Sequence, residues 1–369
     1  MIIKFDNYTF DYHIYSLAKS KAVLDDLISK GIDCIYYNDR IAQLYPIDTF
    51  FELTEREQKL LDECESYDVF EIDSSGNAYK CFDNKSLDNA IFITNQCNSN
   101  CIMCPTPELL RKTKSFYTAD ILIEIAKHFP SDCAHITITG GEPFLLGKEI
   151  FNLFLYLKET FRETQFLLLT NGRVFSNNEY SYLLYKNAPE QLCIGIPIHG
   201  HTPKLHDKIT QSTGSFYQTF NGIKNLLNLN IKIEIRIVIS NLNKDFLKEI
   251  AELISNNFSQ IMCVKFIGLE MTGAAAKNEK EVWLGYPEAF QKSKEAISIL
   301  INSGIDVGIY NFPLCAVEKE YWYICEKSIS PHKVRFADIC RTCSVADACG
   351  GLFSGTIRLA KKELYPVNI

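Results

Sequence analysis

"IKIEIRIVIS" (residues 231–240) alternates without a break, with Ile231, Ile233, Ile235, Ile237 and Ile239 set against Lys232, Glu234 and Arg236. Successive side chains of a strand point to opposite faces, so one face here is aliphatic and the other charged. A parallel strand covered by helices on both faces should be apolar on both. The charged face must therefore meet something wet. A barrel lumen that holds a ligand satisfies this, and an edge strand with one solvated face is the other reading.

The neighbouring segments decide how many such strands there are. "AIFIT" (90–94), "AHITIT" (134–139), "QFLLLT" (165–170), "QLCIGIPI" (191–198) and "MCVKFIGL" (262–269) are rich in β-branched and aromatic residues and read as strands. Between them, apolar residues recur at helical spacing, as in Ile121, Ile125 and Phe129, or Ile250, Leu253 and Ile254. Asn243, with Asp245 two residues on, reads as the cap of one helix, and Pro287 and Gly304 bracket another. Six strand–helix units predict a parallel sheet with right-handed crossovers. The expected fold is α/β: a partial (β/α)6, TIM-like barrel over residues 86–304.

Residues 1–85 have a different texture. "SLAKSKAVLDDLISKG" and "LTEREQKLLDECES" read as helices and "VFEIDSSGNAYKCF" as a hairpin, an order that predicts a small α+β module of winged-helix type. Beyond residue 304, "IDVGIYNF" reads as one further strand, and residues 305–369 become cysteine-rich and irregular.

The 369 residues are 47% hydrophobic and 22% charged, which fits a folded globular chain. The formal net charge is −7, with cations spread along the chain, which points away from nucleic acid as a partner. No stretch approaches the roughly 18 apolar residues of a membrane span, and the first residues have no signal-peptide pattern, so the expected location is the cytoplasm. Fourteen cysteines in a reducing compartment are not a disulfide framework. Clustered ones read as metal or cluster ligands, and single ones such as Cys34, Cys64 and Cys263 as core filling.

Two clusters stand out. "CNSNCIMC" (97–104) places Cys97, Cys101 and Cys104 directly after the first strand, at the end where parallel α/β sheets put their sites. Three thiolates in one loop could hold zinc with a fourth ligand, but C-x3-C-x2-C suits a cubane iron–sulfur cluster with one iron left open. Cys315, Cys340, Cys343 and Cys349, from "PLCAVEK" and "CRTCSVADACGG", form the second group, with Cys325 as a rival ligand. Four thiolates can saturate a second 4Fe-4S cluster or hold structural zinc.

"TGGEP" (139–143) follows the second strand. Gly140 and Gly141 permit close backbone approach to a ligand, Pro143 starts the next turn, and Glu142 is an acceptor for an ammonium group. Asn171 ends the third strand within reach of that ligand. His199, at the end of the fourth, is a further polar group at the same rim.

The cysteine loop, "TGGEP" and the six-unit pattern together resemble the radical S-adenosylmethionine (SAM) superfamily over residues 88–304. The resemblance implies a 4Fe-4S cluster on Cys97, Cys101 and Cys104 whose open iron takes the amino and carboxylate groups of SAM. One electron then releases a 5′-deoxyadenosyl radical, which abstracts a hydrogen atom from substrate. It also implies that the motif around Glu142 binds the SAM amine and that "GLEMTG" (268–273) lies against adenine, with Glu270 facing the lumen. Arg236, on the polar face of the fifth strand, is the candidate to pair with the SAM carboxylate, because a guanidinium matches a carboxylate bidentately; a surface salt bridge is its other reading. The tail motif C-x2-C-x5-C-G-G is similar to SPASM and twitch extensions. This implies an auxiliary 4Fe-4S cluster used for electron transfer.

"IYNFPLC", "SIS" (328–330), "GLEMTGAA" and "IEIRIVI" resemble the C-type maturase family of the His-Xaa-Ser peptide system (HxsC). That implies a precursor peptide with His-Xaa-Ser repeats as substrate and a second radical SAM maturase as partner, with an electron donor such as flavodoxin or ferredoxin. A radical SAM enzyme of small metabolites and a catalytically silent cluster-bearing scaffold are the alternatives.

Overall fold

The computed structural model describes residues 2–113 and 117–368. Among them the chain forms three sheets. The first contains β1 (Ile2–Lys4), β2 (His13–Ala18), β3 (Cys34–Asn38), β4 (Ile41–Tyr45), β5 (Thr49–Glu52), β6 (Val69–Ile72) and β7 (Asn77–Phe82), in the order β1-β7-β6-β2-β3-β4-β5. Only β2 and β3 are parallel, joined through the helix Lys21–Ser29, whose N-cap Ser20 accepts from Val23 N–H.

The expected helices lie at Lys21–Ser29 and Glu55–Asp62, and the expected hairpin is β6–β7. The winged helix-turn-helix reading does not hold, because those pieces belong to a seven-stranded mixed sheet. Its other strands are three to six residues long, too short for periodicity to separate from loop. Phe5, Phe51, Leu44, Phe70 and Ile72 fill its core.

The second sheet is wholly parallel. It runs β8 (Asn89–Phe92), β9 (His135–Thr139), β10 (Gln165–Leu169), β11 (Leu192–Pro197), β12 (Lys232–Val238), β13 (Cys263–Ile267), β14 (Asp306–Tyr310) and β15 (Cys325–Glu326) in sequence order. This is an α/β fold, an open parallel sheet curled into a half-barrel. β8–β13 are the six expected strands, and the tail extends the sheet by β14 and β15. The strand β12 sits inside the sheet between β11 and β13, which removes the edge-strand reading.

Ile233, Ile235 and Ile237 join the core against the surrounding helices, while Glu234 and Arg236 face the lumen. The helix Tyr286–Asn302 has Pro287 in its first turn and ends before Gly304 at φ +75°, as its brackets predict. Asn243 differs from its expected role. Its side chain caps no helix; Oδ1 accepts from Ser240 N–H at 2.9 Å and Nδ2 donates to Val238 O at 3.0 Å, tying off the end of β12.

The two large sheets share a core, in which Phe82 packs on Phe129 with ring centroids 4.6 Å apart. At this junction Ser16 Oγ and His128 Nδ1 are 3.0 Å apart and buried. Burial pushes the His128 pKa down to about 4. The folded chain therefore holds His128 neutral where the unfolded chain protonates it near pH 6.5, so stability falls as pH drops from about 6.5 towards about 4. The loss expected at the acid end is on the order of 3 kcal/mol. Thermal melting against pH checks this, and His128→Gln should flatten that part of the curve.

A short third sheet pairs β16 (Val334–Arg335) with β17 (Leu352–Phe353) inside the cysteine-rich tail. Among the described residues no helix is long and apolar enough to cross a membrane.

Candidate active site

The C-terminal ends of β8–β10 carry the polar groups of the rim as one hydrogen-bonded unit. Glu142 is 2% exposed. Its Oε1 accepts from Phe144 N–H at 3.1 Å and from Thr170 Oγ1 at 2.8 Å, and its Oε2 accepts from Asn171 N–H at 2.8 Å. Burial raises its pKa, and the Asn171 N–H opposes that shift. The carboxylate expected to face a ligand amine is thus also the pin between the ends of β9 and β10. A carboxylate has about four lone-pair sites, so it keeps capacity for one further donor.

Asn171 reaches the cysteine loop. Its Nδ2 donates to Asn98 Oδ1 at 2.6 Å and lies 4.0 Å from Cys97 Sγ. Arg173, which sequence reasoning passed over, holds the same loop through Nη1 to Asn98 O at 2.7 Å and Ser99 Oγ at 2.9 Å, while its Nε donates to Gln218 at 2.7 Å. The signal was its place directly after "TNG". Burial pushes the Cys97 thiol up to about 11 and Cys101 up to about 12, and Ser99 N–H donates to Cys97 Sγ at 3.4 Å. Soft thiols in one loop with N–H donors aimed at sulfur suit an iron–sulfur cluster.

The glycines also answer to the chain itself. Gly141 N–H donates to Thr94 O at 2.7 Å and Glu142 N–H to Gln96 O at 2.8 Å, so this turn lies directly on the backbone leading into the cysteine loop. A Cβ on Gly140 would sit 2.6 Å from Thr94 O, and one on Gly141 would overlap Gln96 O. The close approach they permit is to the chain itself. Pro143 is buried at the first position of the following 3-10 turn. Gly141→Ala should destabilise the fold by roughly 2–4 kcal/mol, read as a lowered melting temperature.

The lumen wall of β12–β15 is charged. Arg236 Nη1 donates to Glu234 Oε1 at 2.8 Å, and Lys265 Nζ to Glu326 Oε1 at 2.6 Å, with both cations within 6 Å of the Tyr310 ring centroid. Arg236 lies across Gly195, where a Cβ would collide with Leu169 and press on Arg236, and Lys265 lies across Gly308, where a Cβ would collide with Lys265 and Glu326. Glu270 is 17% exposed and pairs with Lys333 of the tail at 3.3 Å. His199 is enclosed beside His206, whose Nδ1 accepts its backbone N–H at 3.3 Å, and burial pushes its pKa down to about 3.

Cys315, Cys340, Cys343 and Cys349 all line one cavity in the tail. Leu314 N–H and Gly351 N–H each donate to Cys349 Sγ at 3.4 Å, and Val367 N–H to Cys343 Sγ at 3.4 Å. Cys325 is not at this cavity; its thiol faces Tyr321 O at 3.6 Å. Among the described residues no three His, Cys, Asp or Glu side chains close on a single ion position. The support for either thiol group therefore comes from spacing, shared surroundings and N–H donors.

Residues 91–254 match the family model of the radical SAM superfamily. Over 170 residues, 44% of this chain, it is 27% identical to the sporulation killing factor maturation protein SkfB of Bacillus subtilis. The chain spans 38% of the length of that curated relative. Streptococcus suis SuiB bound to its precursor peptide SuiA shares the fold at a TM-score of 0.50 and 13% identity, over 62% of this chain and 49% of that one. SuiB bound to S-adenosylmethionine gives 0.50 and 14%, over 60% and 50%.

Proposed function

From the radical SAM domain formed by residues 91–254, we propose that this protein is a maturase that modifies a ribosomally made precursor peptide. The observation that carries this reading is the rim unit, where a three-thiol loop is held by Asn98, Asn171 and Arg173 against the Glu142 network. A 4Fe-4S cluster on Cys97, Cys101 and Cys104, with SAM, would supply a deoxyadenosyl radical that takes a hydrogen atom from the substrate. Glu142 keeps one acceptor site for the SAM amine, and Arg236, using one N–H on Glu234, keeps donors for its carboxylate. Asn171 and Arg173 fix the loop so that the thiols stay in place between turnovers.

The four-thiol cavity supports a second 4Fe-4S cluster that accepts the surplus electron of an oxidative modification or crosslink; structural zinc is the other occupant of such a set. A His-Xaa-Ser peptide is the proposed substrate, with a second radical SAM maturase as partner, in the cytoplasm. This rests on the likeness of "IYNFPLC", "SIS" and the tail motif. Glu270 and the N-terminal sheet are assigned to ligand contact and to capture of an extended peptide along a sheet edge.

Anaerobic incubation with SAM, dithionite and a His-Xaa-Ser peptide tests the reading. Formation of 5′-deoxyadenosine together with a changed peptide mass is expected. Deoxyadenosine stimulated by a small metabolite and not by peptide would overturn the substrate class, and no SAM cleavage at all would overturn the enzyme reading.

A further inference from the structure

Reductive cleavage of SAM needs one electron, and the first must come from outside the chain, so some surface must receive the donor. This question rests on the proposed function, but its answer lies in residues of the outer surface. The cysteine loop meets solvent at two adjoining cavities. One is lined by Cys97, Asn98, Arg111, Lys112 and Leu145, the other by Cys101, Arg111 and Lys277. Glu108 lines both, so the charged groups are three cations and one carboxylate, on a chain whose net charge is −7.

That single carboxylate is shared. Lys112 Nζ lies 2.7 Å and Lys277 Nζ 3.1 Å from it, with both lysine side chains 72% exposed. Arg111 Nη1 donates to Asn100 Oδ1 at 2.6 Å, inside the cysteine loop itself. Beside these cations the short helix Glu108–Lys112 exposes Leu109 (77%) and Leu110 (46%), and Leu145 (37%) stands across the cavity. Uncovered leucines beside cations form the apolar-centre, charged-rim pattern of a protein-binding patch. Electron tunnelling slows steeply with distance, and Cys97 and Cys101 line the two cavities at this patch.

We infer that the surface formed by Arg111, Lys112, Lys277 and the exposed leucines is the docking site of a small acidic one-electron carrier protein. The carrier is oxidised by one electron and the centre held by Cys97, Cys101 and Cys104 is reduced by one; no bond forms or breaks at the interface. The occupant is acidic because the patch is cationic on an otherwise acidic chain, and its hold is transient and salt-sensitive.

The test uses the full chain with the charge-reversed pair Lys112→Glu and Lys277→Glu, and the charge-conserving pair Lys112→Arg and Lys277→Arg. Binding of reduced flavodoxin is measured by interferometry at low and high salt. Deoxyadenosine formation is measured with flavodoxin or with dithionite as reductant. Charge reversal is expected to weaken flavodoxin binding about tenfold or more and to slow flavodoxin-driven turnover alike, with dithionite-driven turnover and melting temperature unchanged. The arginine pair should behave as the parent. Unchanged flavodoxin binding in the reversed protein overturns the inference, as does a loss of peptide-stimulated turnover under dithionite, which would make the patch a peptide site. Absence of SAM cleavage in the parent would instead defeat the proposed function, and the binding measurement would still decide the docking site.

Discussion

With Cys101 replaced by alanine, the anaerobically purified protein is expected to carry about four irons where the parent carries about eight, and to form no 5′-deoxyadenosine. Cys101 is the middle thiol of its loop, and the other two cannot close a cubane that requires three. Its contribution is chemical rather than structural, because the loop is held by Asn98 and Ser99 through Asn171 and Arg173. The melting temperature of the cluster-free protein should therefore change little. Retention of eight irons, or an unchanged rate of SAM cleavage, would sink the assignment of Cys101. A parent with about four irons plus zinc would move the tail group to the zinc reading.

Glu142→Ala is the second large effect. It leaves Thr170 Oγ1, Asn171 N–H and Phe144 N–H without their acceptor in a site that is nearly closed to water. Buried donors stripped of a charged acceptor cost on the order of 3–5 kcal/mol. Glu142→Gln separates two roles. The amide keeps one acceptor oxygen but sets an NH2 against one of the remaining donors, so a partial loss of stability is expected. The charge available to an ammonium group is lost in full. A fall in SAM affinity greater than the fall in melting temperature would support ligand contact; an unchanged melting temperature for Glu142→Ala would refute the pin.

The half-barrel was legible because its information is local. The alternation in β12 and the helical spacing between strands are properties of single segments, and each agrees with the fold around it. The N-terminal module was misread where the signal is tertiary: β2–β5 are short, and what makes them strands is the partner beside them. The rim follows the same division. The cysteine spacing and "TGGEP" announced chemistry, but only the assembled chain reveals that Gly140 and Gly141 clear a path for Thr94 and Gln96, or that Arg173 grips the cysteine loop. Lys265 could have been found, since in "MCVKFIGL" it shares a face with Cys263 and lies beside Arg236 in the sheet.

The charged lumen wall also fixes an order in time. Lys265 finds its counter-ion in Glu326, 61 residues later, and Ser330 reaches back to Asp88 across 242 residues. Contacts so distant along the chain are among the last to form as it leaves the ribosome. A nascent chain that has delivered β8–β14 therefore has every strand of the rim but still lacks Glu326, the partner of Lys265. The wall completes its charge pairing only when β15 adds to the edge of β14. Because Glu326 precedes Cys340, Cys343 and Cys349, synthesis lets the lumen wall pair its charges before the second thiol group is complete.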